Sequence, residues 1–325
     1  MKMLISKIFF FPTRNCNLRC CHCFIVNSEK VTQKVLQVGT RIIEGLVKYH
    51  GEELRLAGGE PTIVPDLPIL VSEANRKGII VSVITNGYQF NNNWIKALSK
   101  TKKNRVWFSI YGINHEMHDF VTSMPGSFQT ISEKISCALK AGLHVGFNVP
   151  ITKHIIRHIE DLLIQAKALK ISTIKFLRIT PPYYQTEKTN SILPTEEEIE
   201  EFLNMKMYFW EIAGRILLRF PITFSKYNYD DSQEDNCFVK RGVPLFTVNG
   251  SGDVYPCCLY VCKKYAVLGN ILSDSWEEIF ESYQLFRYSL IKRSNSFCPC
   301  LEAENINIFC PIAFTNIKKE ETFYV

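Results

Sequence analysis

Four cysteines stand within eight residues in the stretch "FPTRNCNLRCCHCF", which begins at Phe11. Cys16, Cys20 and Cys23 make the spacing C-x-x-x-C-x-x-C. Three thiolates on one short loop can each take an iron of a cubic iron–sulfur cluster and leave the fourth iron open. A structural zinc ion wants four ligands, and Cys21 could supply the fourth. Cys20, Cys21 and Cys23 lie too close in the chain to fit easily on one tetrahedral ion, so the loop reads as iron–sulfur before zinc. Incidental burial is a poor account of four thiols so close together.

Seven more cysteines lie far along the chain: Cys237, Cys257, Cys258, Cys262, Cys298, Cys300 and Cys310. Paired cysteines on a hairpin and a later loop suit a zinc ribbon as well as an iron–sulfur cluster. Cys137 falls on a helix face with Ile131, Ile135 and Ala138 and is expected to be a packed core thiol.

The chain has 325 residues, 46% hydrophobic and 22% charged, an ordinary globular composition for one large core or two domains. The net charge of +6 is spread along the sequence, so nucleic-acid binding is not demanded. No cleavable signal precedes the cysteines, and no apolar run reaches the about 18 residues a membrane span needs. Twelve cysteines in such a chain point to metal rather than disulfides and to the cytoplasm. No membrane and no nucleic-acid partner is expected.

The elements that must position these thiols alternate regularly. Strand-like runs are "ISKIFFF", "ELRLAG", "IIVSVIT", "RVWFSI", "HVGFNVP" and "TIKFLRI", with amphipathic stretches between them. In the first of those stretches Val35, Val38, Ile42 and Leu46 share a face, with Thr32 as a candidate cap. A later one, "ISEKISCALKAG", stops at Gly142. Six strands each followed by a helix imply a parallel sheet, closed like a barrel or doubly wound, with its ligand site at the carboxyl ends of the strands. After Ile179 the pattern changes. "TEEEIEEFLNMKMYFWEIAGR" reads as one helix, "DDSQEDN" as a solvated loop, and "LFTVNGSGDVYPCC" as a hairpin turning at Gly250 to Gly252. The expected divisions are 1–185, a barrel core; 186–235, a helical linker; and 236–325, a cysteine-rich hairpin-plus-helix domain.

The strand ends carry a further set: Gly58, Gly59, Glu60 and Pro61 after the second strand, Thr85 to Gly87 after the third, and Ser109 at the end of the fourth. Together with the cysteine loop, and in this order, the set resembles the radical S-adenosylmethionine superfamily from Ile5 to about Ile179. The resemblance implies an α/β fold, a partial (β/α)6 TIM-type barrel. Cys16, Cys20 and Cys23 match the three ligands of its 4Fe–4S cluster, and Cys21 is supernumerary. His22 sits where the family usually has an aromatic residue. The open iron would take the amino and carboxylate groups of S-adenosylmethionine, whose reductive cleavage yields a 5'-deoxyadenosyl radical. Gly58 and Gly59 would let backbone approach the methionyl ammonium, and Glu60 would supply an opposite charge. Ser109 would contact the ribose, Asn148 would lie at the fifth strand end, and Ile179 would flank the adenine. Two positions depart from the pattern: Tyr111 replaces a frequent acid, and Thr122 stands where an arginine is common, so the family's usual hold on the methionyl carboxylate is unmatched.

Cys237, Gly252 and Cys257, with "LGNILSDSWEEIF" beyond them, resemble the opening of the cysteine-rich extension called SPASM, or twitch when shortened. Cys298, Cys300 and Cys310 follow with Ile306 in place of a cysteine, which leaves enough ligands for one auxiliary 4Fe–4S cluster. Cys237, Cys257, Cys298, Cys300 and Cys310 would compete for its at most four seats, with a zinc ribbon as the alternative. Cys258 and Cys262 are left over; Cys258 follows a candidate ligand, where a thiol could donate a hydrogen atom to a substrate radical or simply pack. Resemblance cannot choose the reaction. The leading expectation is hydrogen abstraction from a ribosomal precursor peptide, ending in epimerisation or a cross-link. Oxidation of a small molecule such as a sugar or aminocyclitol comes second, and a non-catalytic iron–sulfur protein third. No leader-binding segment precedes the first strand, which weighs slightly against a peptide. An electron donor such as flavodoxin or ferredoxin is the expected redox partner.

Overall fold

The computed structural model describes residues 5–25, 34–179, 186–220, 239, 244–261 and 266–292. Its first half is a regular alternation: β1 (Lys7–Phe11), α1 (Val35–Lys48), β2 (Glu53–Leu56), α2 (Leu67–Arg76), β3 (Ile80–Thr85), α3 (Asn92–Leu98), β4 (Arg105–Ser109), α4 (His115–Thr122), α5 (Ser127–Lys140), β5 (His144–Pro150), α6 (Lys153–Arg157), α7 (Ile159–Ala168) and β6 (Thr173–Leu177). All six expected strands are present, and every neighbouring pair among them is parallel. The helices bury their apolar stripes on the sheet: Val35, Val38, Ile42 and Leu46 of α1 are all buried. Lys34 caps α1 through its backbone position alone, so the helix starts later than a Thr32 cap implies.

Beyond β6 come α8 (Glu187–Ile192), α9 (Glu196–Asn204), α10 (Lys206–Ala213), β7 (Leu217–Arg219), β8 (Thr247–Asn249), β9 (Asp253–Tyr255), β10 (Gly269–Asn270) and α11 (Trp276–Lys292). The single helix expected here is two, broken at Met205, and α9 starts in a Thr195–Glu198 capping box. β7 adds a seventh parallel strand beside β6. The expected hairpin exists as β8 and β9, with Gly252 at φ +95° in its turn. It does not stand apart: β8 pairs in parallel with β1, Phe9 opposite Thr247, so the sheet runs β10-β9-β8-β1-β2-β3-β4-β5-β6-β7. Among the described residues the barrel is therefore partial, with β7 and β10 as its edges.

Cys137 is exposed, contrary to the expected core thiol. Ile131, Ile135 and Ala138 are buried on α5, but position 137 is rotated by a residue's 100° from Ala138 and leaves that stripe. No helix among the described residues is long and apolar enough to cross a membrane. The acidic stretch 230–236 lies outside the described residues.

Candidate functional site

The cysteine loop leaves the end of β1 and lies along the carboxyl ends of the neighbouring strands. The Gly-Gly-Glu turn holds it from one side: Gly59 N donates to the Thr13 carbonyl at 2.9 Å and Glu60 N to the Asn15 carbonyl at 2.8 Å. This contact explains the glycines. A Cβ on Gly59 would sit 2.1 Å from the Asn15 carbonyl oxygen, and one on Gly58, at φ +118°, 2.6 Å from that of Thr13. The space that spares a Cβ here is filled by the chain's own loop rather than left toward a ligand.

From the other side, Arg19 N and Cys21 N donate to the carbonyls of Thr122 and Val121 at the end of α4, at 3.3 and 3.0 Å. Thr189 of α8 donates to the Cys21 carbonyl at 2.7 Å. Cys20 and Cys21 pack on a small apolar cluster of Tyr111, Val121, Ile179 and Ile192. Thr122 is fully buried, its hydroxyl 2.7 Å from that of Ser127, so it serves the α4–α5 junction.

Three thiols converge electrostatically. Burial pushes the Cys16 thiol up to about 11, and the nearby Cys23 adds to that shift. Burial, then Cys23 and Cys16, raise Cys20 further. Asn86 reaches the Cys16 sulfur through Nδ2 at 3.6 Å. None of the seven described cysteines forms a disulfide. Among the described residues no three His, Cys, Asp or Glu side chains converge on one ion position. Thiolates that each take a different iron need no such convergence. The donor set, all sulfur and mutually close, fits an iron–sulfur cluster, whose positive irons would reverse the upward shifts and release the thiol protons.

Glu60 is 1% exposed, and its carboxylate accepts four hydrogen bonds. Its Oε1 accepts from Thr62 N at 3.0 Å, Thr62 Oγ1 at 2.6 Å and Thr85 Oγ1 at 2.7 Å, while Oε2 accepts from Asn86 N at 2.7 Å. Burial raises its pKa against the pull of these donors. The carboxylate thus ties the end of β2 to the turn after β3, and Asn86 carries the link on to Cys16. Sequence reading missed Asn86 and Thr189 as loop holders; the Thr85–Gly87 motif was the available signal for the first.

Ser109 and Asn148 are register partners at the ends of β4 and β5. Tyr111 interacts through its hydroxyl with both Ser109 and the Cys20 thiol. The His22 ring lies 5.0 Å from the Tyr111 ring, and its Nδ1 is buried without a hydrogen-bond partner among the described residues. Cys257 and Cys258 are buried just after β9, at the start of a 3-10 turn. Cys237, Cys262, Cys298, Cys300 and Cys310 lie outside the described residues.

Comparison with known proteins places this geometry. The family model of the radical SAM superfamily matches residues 10–166, and that of the SPASM iron–sulfur cluster-binding domain matches residues 237–320. The chain belongs to the radical S-adenosylmethionine superfamily and carries a SPASM domain. Those domains imply a 4Fe–4S cluster with S-adenosylmethionine and an auxiliary cluster. Fe-coproporphyrin III synthase of Methanosarcina barkeri is 28% identical over 187 residues, 57% of this chain and 47% of that one. The subtilosin biosynthesis protein AlbA of Bacillus subtilis is 24% identical over 276 residues, 84% of this chain and 59% of that one. The chain thus spans about half the length of these relatives. Streptococcus suis SuiB bound to the precursor peptide SuiA shares the fold, with TM-score 0.72 and 15% identity over 90% of this chain and 68% of that one.

Proposed function

We propose that this chain modifies a ribosomally made precursor peptide by radical hydrogen abstraction. Cys16, Cys20 and Cys23 would hold the first cluster. Gly58, Gly59, Glu60, Ser109, Asn148, Ile179 and His22 would surround S-adenosylmethionine. Cys257, with Cys237, Cys298, Cys300 and Cys310, supplies candidate ligands for the auxiliary cluster. When bound, the first cluster and S-adenosylmethionine supply a 5'-deoxyadenosyl radical that takes hydrogen from the substrate. The chain's own part is to fix the thiols through Asn86, Thr189 and the Gly58–Gly59 contact. The buried Tyr111, Ile179 and Ile192 surfaces cover Cys20 and Cys21.

The observation that carries the peptide reading is the open sheet. Among the described residues its two edges, β7 and β10, do not pair, which leaves a side through which an extended chain can enter. A bacteriocin biosynthesis protein among the relatives and a peptide-bound neighbour support it. The test combines anaerobically reconstituted enzyme, S-adenosylmethionine, a reductant and peptides encoded beside the gene. Formation of 5'-deoxyadenosine with a matching mass change in one peptide is expected. Cleavage that ignores every such peptide but responds to a sugar or aminocyclitol would move the chain to the small-molecule dehydrogenases.

A further inference from the structure

The barrel has a second chemically distinct end. At the N-terminal halves of the strands the lumen holds a cavity of about 390 Å³, whose lining includes Lys7, Arg55, Trp107, Lys175 and Arg219. Trp107 precedes Ser109 by two residues on β4, and Gly146 precedes Asn148 by two on β5, so each pair shares a sheet face. The cavity floor is therefore about 7 Å, one pleat repeat, below the layer of Ser109 and Asn148.

The charge there is one-sided. Lys175 is 6% exposed, with Nζ 3.2 Å from the centre of the Trp107 ring. Gly146 makes room for that ring, since a Cβ at this position would lie 2.5 Å from it. Arg55 lies over Phe9, 5.4 Å from its centre, and gives Nη2 to Glu53 at 2.9 Å. Glu53 is already engaged, for its other oxygen accepts from Ser82 at 2.5 Å. No aspartate or glutamate lines the cavity among the described residues. Trp107 Nε1 and Arg55 Nε are buried donors without hydrogen-bond partners among the described residues. Burial, then Arg55, then Arg219 and Lys7 against the opposing Glu53, hold the Lys175 amine well below its ordinary range. A neighbouring space of about 550 Å³ shares Arg105 and His144 and adds Lys102 and Lys103 against the single acid Glu52, which leaves the approach basic on balance.

Such a lining offers donors and positive charge and almost no acceptor, so its complement is an anion. The cavity falls in the range of about 300–1,000 Å³ typical of small-molecule sites and exceeds what a lone inorganic phosphate fills. We propose that the barrel floor binds a small polyanion, a molecule with two or more phosphate or carboxylate groups. The guanidinium groups of β2 and β7 and the lysine amines of β1 and β6 converge on it, and the indole N–H of β4 adds a neutral donor.

The test is calorimetry on reconstituted holoenzyme at fixed ionic strength, with pyrophosphate, tricarballylate and inorganic phosphate as probes and chloride as the control. One of the two polyanions is expected to bind saturably, one per chain, and about tenfold or more weakly in Lys175→Met and in Arg219→Gln. Iron content should be unchanged in both variants. If Lys175→Met fails to fold, Arg219→Gln, on the edge strand, carries the comparison. Absence of saturable binding by both polyanions overturns the proposal, as does binding that the foldable variants leave unaltered. A response to inorganic phosphate alone overturns it too. The readout is binding without turnover, so it stands or falls separately from the radical reaction.

Discussion

Glu60 has a double burden at the residue scale. Its carboxylate is saturated by Thr62, Thr85 and Asn86, and a methionyl ammonium would be one donor more. In Glu60→Gln one oxygen becomes an NH2 that faces donors, so about 1–3 kcal/mol of stability should be lost. Affinity for S-adenosylmethionine, read by calorimetry, should fall with the iron retained; unchanged affinity would reduce the motif to a turn. His118 makes a pH prediction. Its Nδ1 accepts from Tyr111 N at 3.3 Å, and the rings of Tyr111 and Phe128 face it. Burial, against the weaker opposing pull of Asp119, holds its pKa at about 4, below the ordinary 6.5. Between those values the unfolded chain binds a proton that the native chain refuses. The stability contribution is thus complete above about 6.5 and lost as pH falls toward about 4. Histidine-labelled NMR should find this ring still neutral at about pH 5.5; a transition near the ordinary value would remove the bond to Tyr111. Cys258 tests the reaction class. If its thiol quenches a peptide Cα radical from the opposite face, Cys258→Ala should still form 5'-deoxyadenosine yet lose the inverted product, with the thiyl otherwise restored by an external reductant and a proton. A mutant that keeps its product ends the epimerase reading.

At the element scale the glycine turn and the cysteine loop are one unit. Gly59→Ala forces a Cβ into the Asn15 carbonyl and should push the loop off β2, costing about four irons with secondary structure intact. Full iron in that variant would mean that the loop adapts. The six core strands were legible because parallel strands buried on both faces read as apolar runs. The cysteine loop and strand-end motifs were legible because their residues are adjacent in sequence. β7 was not, being three residues long, and neither was the pairing of β8 with β1, which no local pattern encodes. Cys137 was misread by one step of helical phase. The cations of the barrel floor looked scattered because Lys7, Arg55, Lys175 and Arg219 meet only through pleat alternation on four separate strands.

For the whole molecule, two 4Fe–4S centres predict about eight irons per chain after anaerobic reconstitution. Replacing Cys16, Cys20 and Cys23 together with Ala should remove about half and abolish cleavage of S-adenosylmethionine. Zinc in place of the second cluster would sink the auxiliary assignment. The pairing of Phe9 with Thr247 also has a consequence for synthesis. The ribosome releases β1 early, but one of its two neighbours emerges only after β2 to β7 have been made. Until then β1 presents a bare row of backbone donors and acceptors, a template for strands of other nascent chains. Chains truncated before residue 247 should therefore self-associate, while those extended past β8 should stay monodisperse during refolding.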